Sequence, residues 1–190
     1  MQSRIHESEL YKNIVFTDKE TKTVEFEKCS FINCDFSNAV FISGKFIDCV
    51  FTECNLSMTK LTHCQLNNAV FKDCKLLGVN FSECSDFLFS VKFDSCVLDY
   101  ASFVRKKLPK TRFTGCSIKH VDFTECDLTK SLFINTDLMG TVFYRTVLKE
   151  VNFTSAFNFT IDPVQNNIKK AIFSQAGLAG LLDKYEIVVE

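Results

Sequence analysis

The chain has no tryptophan, only 2 prolines and only 6 glycines in 190 residues. Such scarcity excludes collagen-like and linker-rich low-complexity sequences. An excess of one charge is missing too: 22 Lys and Arg stand against 23 Asp and Glu, a formal net charge of −1. Bulk charge therefore gives no footing for direct nucleic-acid binding or for strongly acidic mimicry of a duplex. No run approaches the roughly 18 apolar residues of a membrane span. The start, Met1 to Lys12, is polar and lacks the apolar stretch of a secretory signal. Both absences point to a cytoplasmic protein with no membrane partner, in which cysteines stay reduced. Glycine-rich phosphate loops and an H-E-x-x-H helix are also lacking, so no cofactor is implied.

What the chain does have is 21 phenylalanines and 10 cysteines, and both fall into a period of five. Every fifth residue from Phe26 to Phe81 is Phe or Leu, 12 positions in all. After a shift of two, 13 more follow from Phe93 to Phe153, each Phe, Leu or Ile. Two residues before each lies a second column, mostly small: Val24, Cys29, Cys34, Ala39, Gly44, Cys49 and onward to Val151. Lys106 is its only long side chain.

Residues two apart on an extended chain point to one side, so both columns face inward. The other three positions of each five are mostly polar and face outward. Two in and three out cannot continue as a straight strand, so each repeat contains a corner. Equal corners stacked in register close into a coil, with the large side chains piled along its axis. Self-similarity at a short fixed period predicts a solenoid.

The runs CSFINCDFSNAVF and HVDFTECDLTKSLF resemble the pentapeptide-repeat family: a small residue, Asp or Asn, then Leu or Phe, then two polar residues. The resemblance covers residues 24–155 and departs from the family in using Cys for Ala in the small column. It implies an all-β solenoid, a right-handed quadrilateral β-helix with four repeats per coil, here six full coils and a partial one. Residues 1–23 read as an N-terminal cap with one degraded repeat, since Ile14 and Phe16 fit the columns but Lys19 and Thr21 interrupt them. The shift of two places an insertion within Ser82–Lys92.

Residues 156–190 read as a helical C-terminal cap. Asp162-Pro163 is a helix-start signal, followed by Val164, Ile168, Ala171 and Ile172 on one face. Ser174 is placed to cap a second helix, with Leu178, Leu181, Leu182 and Tyr185 at i, i+3, i+4 and i+7. Gly177 and Gly180 weaken that helix. In the quinolone-resistance (Qnr-type) members of the family a C-terminal helix makes the homodimer. The resemblance thus implies a homodimer through Leu178, Leu181, Leu182 and Tyr185.

No catalytic set emerges. All ten cysteines lie in the small inward column, where Cys acts as a small hydrophobe; the C-x4-C pairs Cys29/Cys34 and Cys49/Cys54 are therefore core, with no metal expected. His63 and His120 occupy outward positions 57 residues apart, and His6 lies in the N-terminal cap. No Ser-His-Asp or Cys-His arrangement can be assembled from them, so the chain reads as a non-enzyme. The basic run Arg105, Lys106, Lys107, Lys110 and Arg112 is the one charge cluster. Lys106 falls in the small column, so this segment is expected to bulge from the coil as a candidate interaction loop. Asp86, Phe87, Leu88 and Phe89 mark the insertion as a kink, or as a site if Phe87 or Phe89 is exposed.

The expected function is a protein-interaction module whose outward surface, with Val40, Val50, Val70, Ile134, Met139 and Tyr144, meets a protein partner. The resemblance adds an alternative, DNA gyrase or a related topoisomerase bound in place of duplex DNA. Between residues 24 and 155, however, 15 acidic side chains are matched by 15 basic ones.

Overall fold

A pattern of two inward and three outward positions demands a corner every five residues, and the backbone provides it. The computed structural model describes residues 5–187. Two places after most of the large inward side chains, the chain enters the left-handed region, as at Lys28 (φ 53°), Asn33 (φ 50°) and Glu125 (φ 58°). That region costs a non-glycine residue roughly 1–2 kcal/mol, so the stacked coils must hold each corner in place. They do so through the backbone. Lys28 N donates to Ile47 O at 2.8 Å and Asn33 N to Thr52 O at 3.0 Å, each in the following coil.

Asp and Asn before the large residue serve the same corner. Asp122 Oδ1 accepts from Thr124 N at 2.8 Å and Asp127 Oδ1 from Thr129 N at 2.9 Å. This is an Asx turn, which fastens the side chain to the backbone two residues on.

Four such corners close a coil of 20 residues. Phe26 pairs in parallel with Phe46, Phe31 with Phe51 and Phe41 with Leu61. On the remaining side, bridges join Asp35, Asn55 and Lys75. The product is a right-handed, four-sided, all-parallel β-solenoid. The first face carries strands Ile5–Glu7, Glu25–Glu27, Lys45–Ile47 and Gln65–Asn67. The second carries seven strands from Leu10–Lys12 to Leu132–Ile134. Isolated bridges such as Asn55 to Lys75 build the third face, and Glu20–Lys22, Val40–Ile42 and Lys60–Thr62 pair on the fourth. Among the described residues no helix is long and apolar enough to cross a membrane.

The core is a set of ladders. On the second face Tyr11, Phe31, Phe51, Phe71, Phe93, Phe113, Phe133, Phe153 and Phe173 stack continuously, with adjacent centroids 4.7–5.5 Å apart and planes within 3–14°. Neighbouring ladders meet edge to face, as do Phe103 and Phe113 at 84°. Offset stacks and T-shaped contacts are the arrangements that ring quadrupoles favour. The register reaches into the N-terminal segment, where strands Ile5–Glu7 and Leu10–Lys12 pair with the next coil and His6 stacks on Phe26 at 5.0 Å.

Two expectations are corrected. No helix starts at Asp162-Pro163: Asp162 Oδ1 caps a turn through Val164 N at 2.8 Å, and the coil continues, with Asn167 bridging to Val147 and Ile172 to Asn152. The reason is burial. In the coil Asn166 and Phe173 enter the two inward columns, whereas the helical face would have included Val164 and Ile172, both exposed. The tail beyond Ser174 forms two short 3-10 segments, Ala176–Leu181 and Asp183–Tyr185.

The second correction concerns the bulge. Residues 105–112 stay in the coil, with Arg105 and Lys110 at corners and Arg112 opening a strand. It is the segment 85–90 that leaves it. There the pairing offset becomes 22, Phe71 meeting Phe93 and Lys75 meeting Val97.

Candidate interaction surface

The small column is chosen for more than size. Carbonyls of the large residues point inward, and donors from the following coil satisfy them. Thr59 Oγ1 donates to Phe36 O at 2.7 Å, Ser131 Oγ to Leu108 O at 2.7 Å and Thr146 Oγ1 to Phe123 O at 2.9 Å. Cysteine does the same with a weaker donor: Cys64 Sγ reaches Phe41 O at 3.3 Å and Cys96 Sγ reaches Phe71 O at 3.4 Å. This function was absent from the reading of cysteine as a hydrophobe. The signal was visible, since Cys, Ser and Thr alternate with Ala and Val in that column.

All ten cysteines are buried and free. Burial pushes the Cys49 and Cys126 thiols up to about 12 and that of Cys64 to about 11. A thiolate, the reactive form, is thereby disfavoured. Among the described residues no three His, Cys, Asp or Glu side chains are placed to hold a metal ion. A void enclosed by Phe36, Leu56, Leu61 and Phe71 measures about 10 Å³, too small for a substrate.

The histidines do not converge. His63 and His120 sit at corners, φ 55° at each, and His120 stacks on Tyr100 at 5.0 Å. His6 Nδ1 lies 2.7 Å from Tyr11 Oη, which also donates to Glu9 Oε2. Burial, then that bond to Glu9, holds the Tyr11 phenol above its usual value. This polar group closes the Phe ladders at the N-terminal mouth.

On the outside, Met139 and Tyr144 are exposed, while Val40, Val50, Val70 and Ile134 are half-buried. Lys106 is buried with its neighbours Arg105, Lys107, Lys110 and Arg112 exposed. Its ammonium lies 2.5 Å from Cys84 O and 2.6 Å from Asp86 Oδ1, and 5.2 Å from the centre of the Phe89 ring. The insertion opened the space that this long side chain occupies. The basic run and the insertion, separate in sequence, thus form one local structure, with Phe87 67% and Leu88 57% exposed at its tip.

The C-terminal segment lies against the last coil. A Cβ on Gly180 would stand 2.2 Å from Phe159 O, so only glycine allows this approach; Ile161 N donates to Gly180 O at 2.9 Å. Lys184 Nζ meets Asp162 Oδ1 at 2.6 Å. Leu181 packs against the core, whereas Leu178, Leu182 and Tyr185 are exposed.

Comparison with protein families finds a match to the model described as the pentapeptide repeat region, over residues 24–103 and 86–157. Comparison with curated protein sequences finds no match. Among solved structures the chain is similar to full-length QnrB1, a plasmid-mediated fluoroquinolone resistance protein, at 16% identity and a TM-score of 0.56, covering 96% of this chain and 100% of that one. A trypsin-treated variant of QnrB1 gives 17% identity and a TM-score of 0.61, covering 99% and 98%.

Proposed function

The chain belongs to the pentapeptide-repeat family, and from that premise we propose that it is a non-enzymatic, cytoplasmic protein-interaction module whose rod-shaped surface does the binding. The observation that supports this reading is where the reactive groups lie. Thiols are buried, histidines are scattered, and the interior is filled by stacked side chains. What remains accessible is a regular exterior at the strand spacing of about 4.8 Å, with flat faces suited to contact over many residues. The full chain, immobilised and exposed to lysate of its host, should retain a discrete protein in stoichiometric amount. Retention of none, with the coil intact by circular dichroism, contradicts the reading.

The module acts as a homodimer through Leu178, Leu182 and Tyr185, which are exposed where Leu181 docks on the core. Exposed apolar residues at the end of a solenoid can meet their own copy across a two-fold axis.

A second reading is that DNA gyrase or a related topoisomerase is the partner. The match over the full length of a fluoroquinolone resistance protein favours it. Against it stands the charge of the coil, with as many basic as acidic residues, where a duplex presents a continuous run of phosphates. Supercoiling by purified gyrase in the presence of a fluoroquinolone decides the matter: restoration by the full chain supports this reading, and unchanged inhibition removes it.

A further inference from the structure

Of 21 phenylalanines, Phe87 is the most exposed, and it stands beside Leu88 at the tip of the bulge at 85–90. The bulge is braced. Ser85 N donates to Cys64 O at 2.8 Å and Ser90 N to Leu66 O at 2.9 Å, pinning both of its ends to the preceding coil. Asp86 is held by Lys106, and Phe89 turns inward onto the core. A tip fixed in this way loses little conformational entropy when it binds, the advantage of preorganisation.

Cations flank the bulge in the chain and in the next coil. Lys92 follows the bulge directly, and Lys107, Lys110 and Arg112 come from the next coil; all four are exposed. Among the described residues none of the four has a carboxylate within ion-pair distance, whereas Arg105 is already paired with Glu125 at 2.7 Å. Lys92 and Arg112 also line a shallow cleft on the second face with Val70, Lys72 and one carboxylate, Asp94. An exposed apolar pair flanked by cations without ion-pair partners has the anatomy of a binding hot spot with a charged rim.

We propose that this patch docks an acidic segment of a partner protein, whose apolar side chains enclose Phe87 and Leu88 while its carboxylates meet Lys92, Lys107, Lys110 and Arg112. The site rests on the interaction reading above and gives it a location and a chemistry. Nucleic acid fits less well, because one aromatic ring among the cations makes no stacking platform. A membrane fits less well, since two apolar residues bury too little area for stable anchoring.

The test uses the full chain and a fluorescein-labelled peptide of glutamates interspersed with leucines. An all-glutamate peptide, a thymidine oligonucleotide and anionic lipid vesicles serve as comparisons. The Glu/Leu peptide should bind saturably and best, and added salt should weaken it. Phe87→Ser and the double variant Lys107→Glu/Lys110→Glu should each lower its affinity by about tenfold or more, the equivalent of 1.4 kcal/mol. Both variants alter exposed side chains, so melting curves should coincide with wild type. Absence of saturable peptide binding, binding undiminished in both variants, or preference for the oligonucleotide or the vesicles overturns the proposal. A cellular partner retained equally by wild type and both variants leaves the interaction module standing and overturns this site alone.

Discussion

Phe113 and Phe133 stack with their centroids 4.8 Å apart and their planes 3° from parallel, although 20 residues separate them. That contact is the solenoid in miniature, since each ring lies between the same residue of the coils before and after. Phe113→Ala should therefore cost about 3–5 kcal/mol, the range for emptying a well-packed aromatic site. Thr114→Ala, one place outward, should stay within about 0.5 kcal/mol. Urea midpoints distinguish them, and equal midpoints would refute the assigned register.

The small column offers a sharper test, because its hydroxyls bond as well as fill. Thr136 Oγ1 donates to Phe113 O at 3.1 Å. Thr136→Val keeps the volume and removes the donor, so it should destabilise by about 1–3 kcal/mol, the cost of a buried unsatisfied partner. If Thr136→Val is as stable as wild type, the column is chosen for size alone.

Most of this architecture was legible in the sequence, because a buried ladder repeats one requirement at every coil. Phe26 through Phe153 state it plainly, and the two-residue shift before Phe93 was countable. What local sequence does not reveal are the places where two distant segments solve a problem together. Lys106 looked misplaced because the space for it is made by residues 85–90, one coil away. Asp162-Pro163 looked like a helix start because local cues match one, yet Asn166 and Phe173 bury more by extending the coil. Gly177 and Gly180 looked like helix weaknesses, but in the structure they let the tail approach Phe159.

The thiols should be silent in the native state. All ten are buried, which blocks reagents, and burial also pushes Cys49, Cys64 and Cys126 up to about 11 to 12. A colorimetric thiol reagent should react slowly with folded protein and count ten after denaturation. A fast class of native thiols would contradict the burial of the column.

The tail should govern assembly. Sedimentation of the wild type should give about twice the 21.7 kDa monomer mass. Leu178→Asp with Tyr185→Asp should yield a folded monomer, since both side chains are exposed. Leu181→Asp should instead loosen the last coil, because Leu181 packs against the core. A wild type already monomeric at micromolar concentration removes the dimer.

The central claim, that this fold works through its exterior, is tested most directly by the partner that an immobilised chain retains. Charge reversals of outward residues, made one face at a time, should abolish retention from one face and spare the others. Leu76→Met, an inward change of similar volume, should leave retention intact. Loss of the partner in a folded Leu76→Met protein, with every outward variant still binding, would contradict the account.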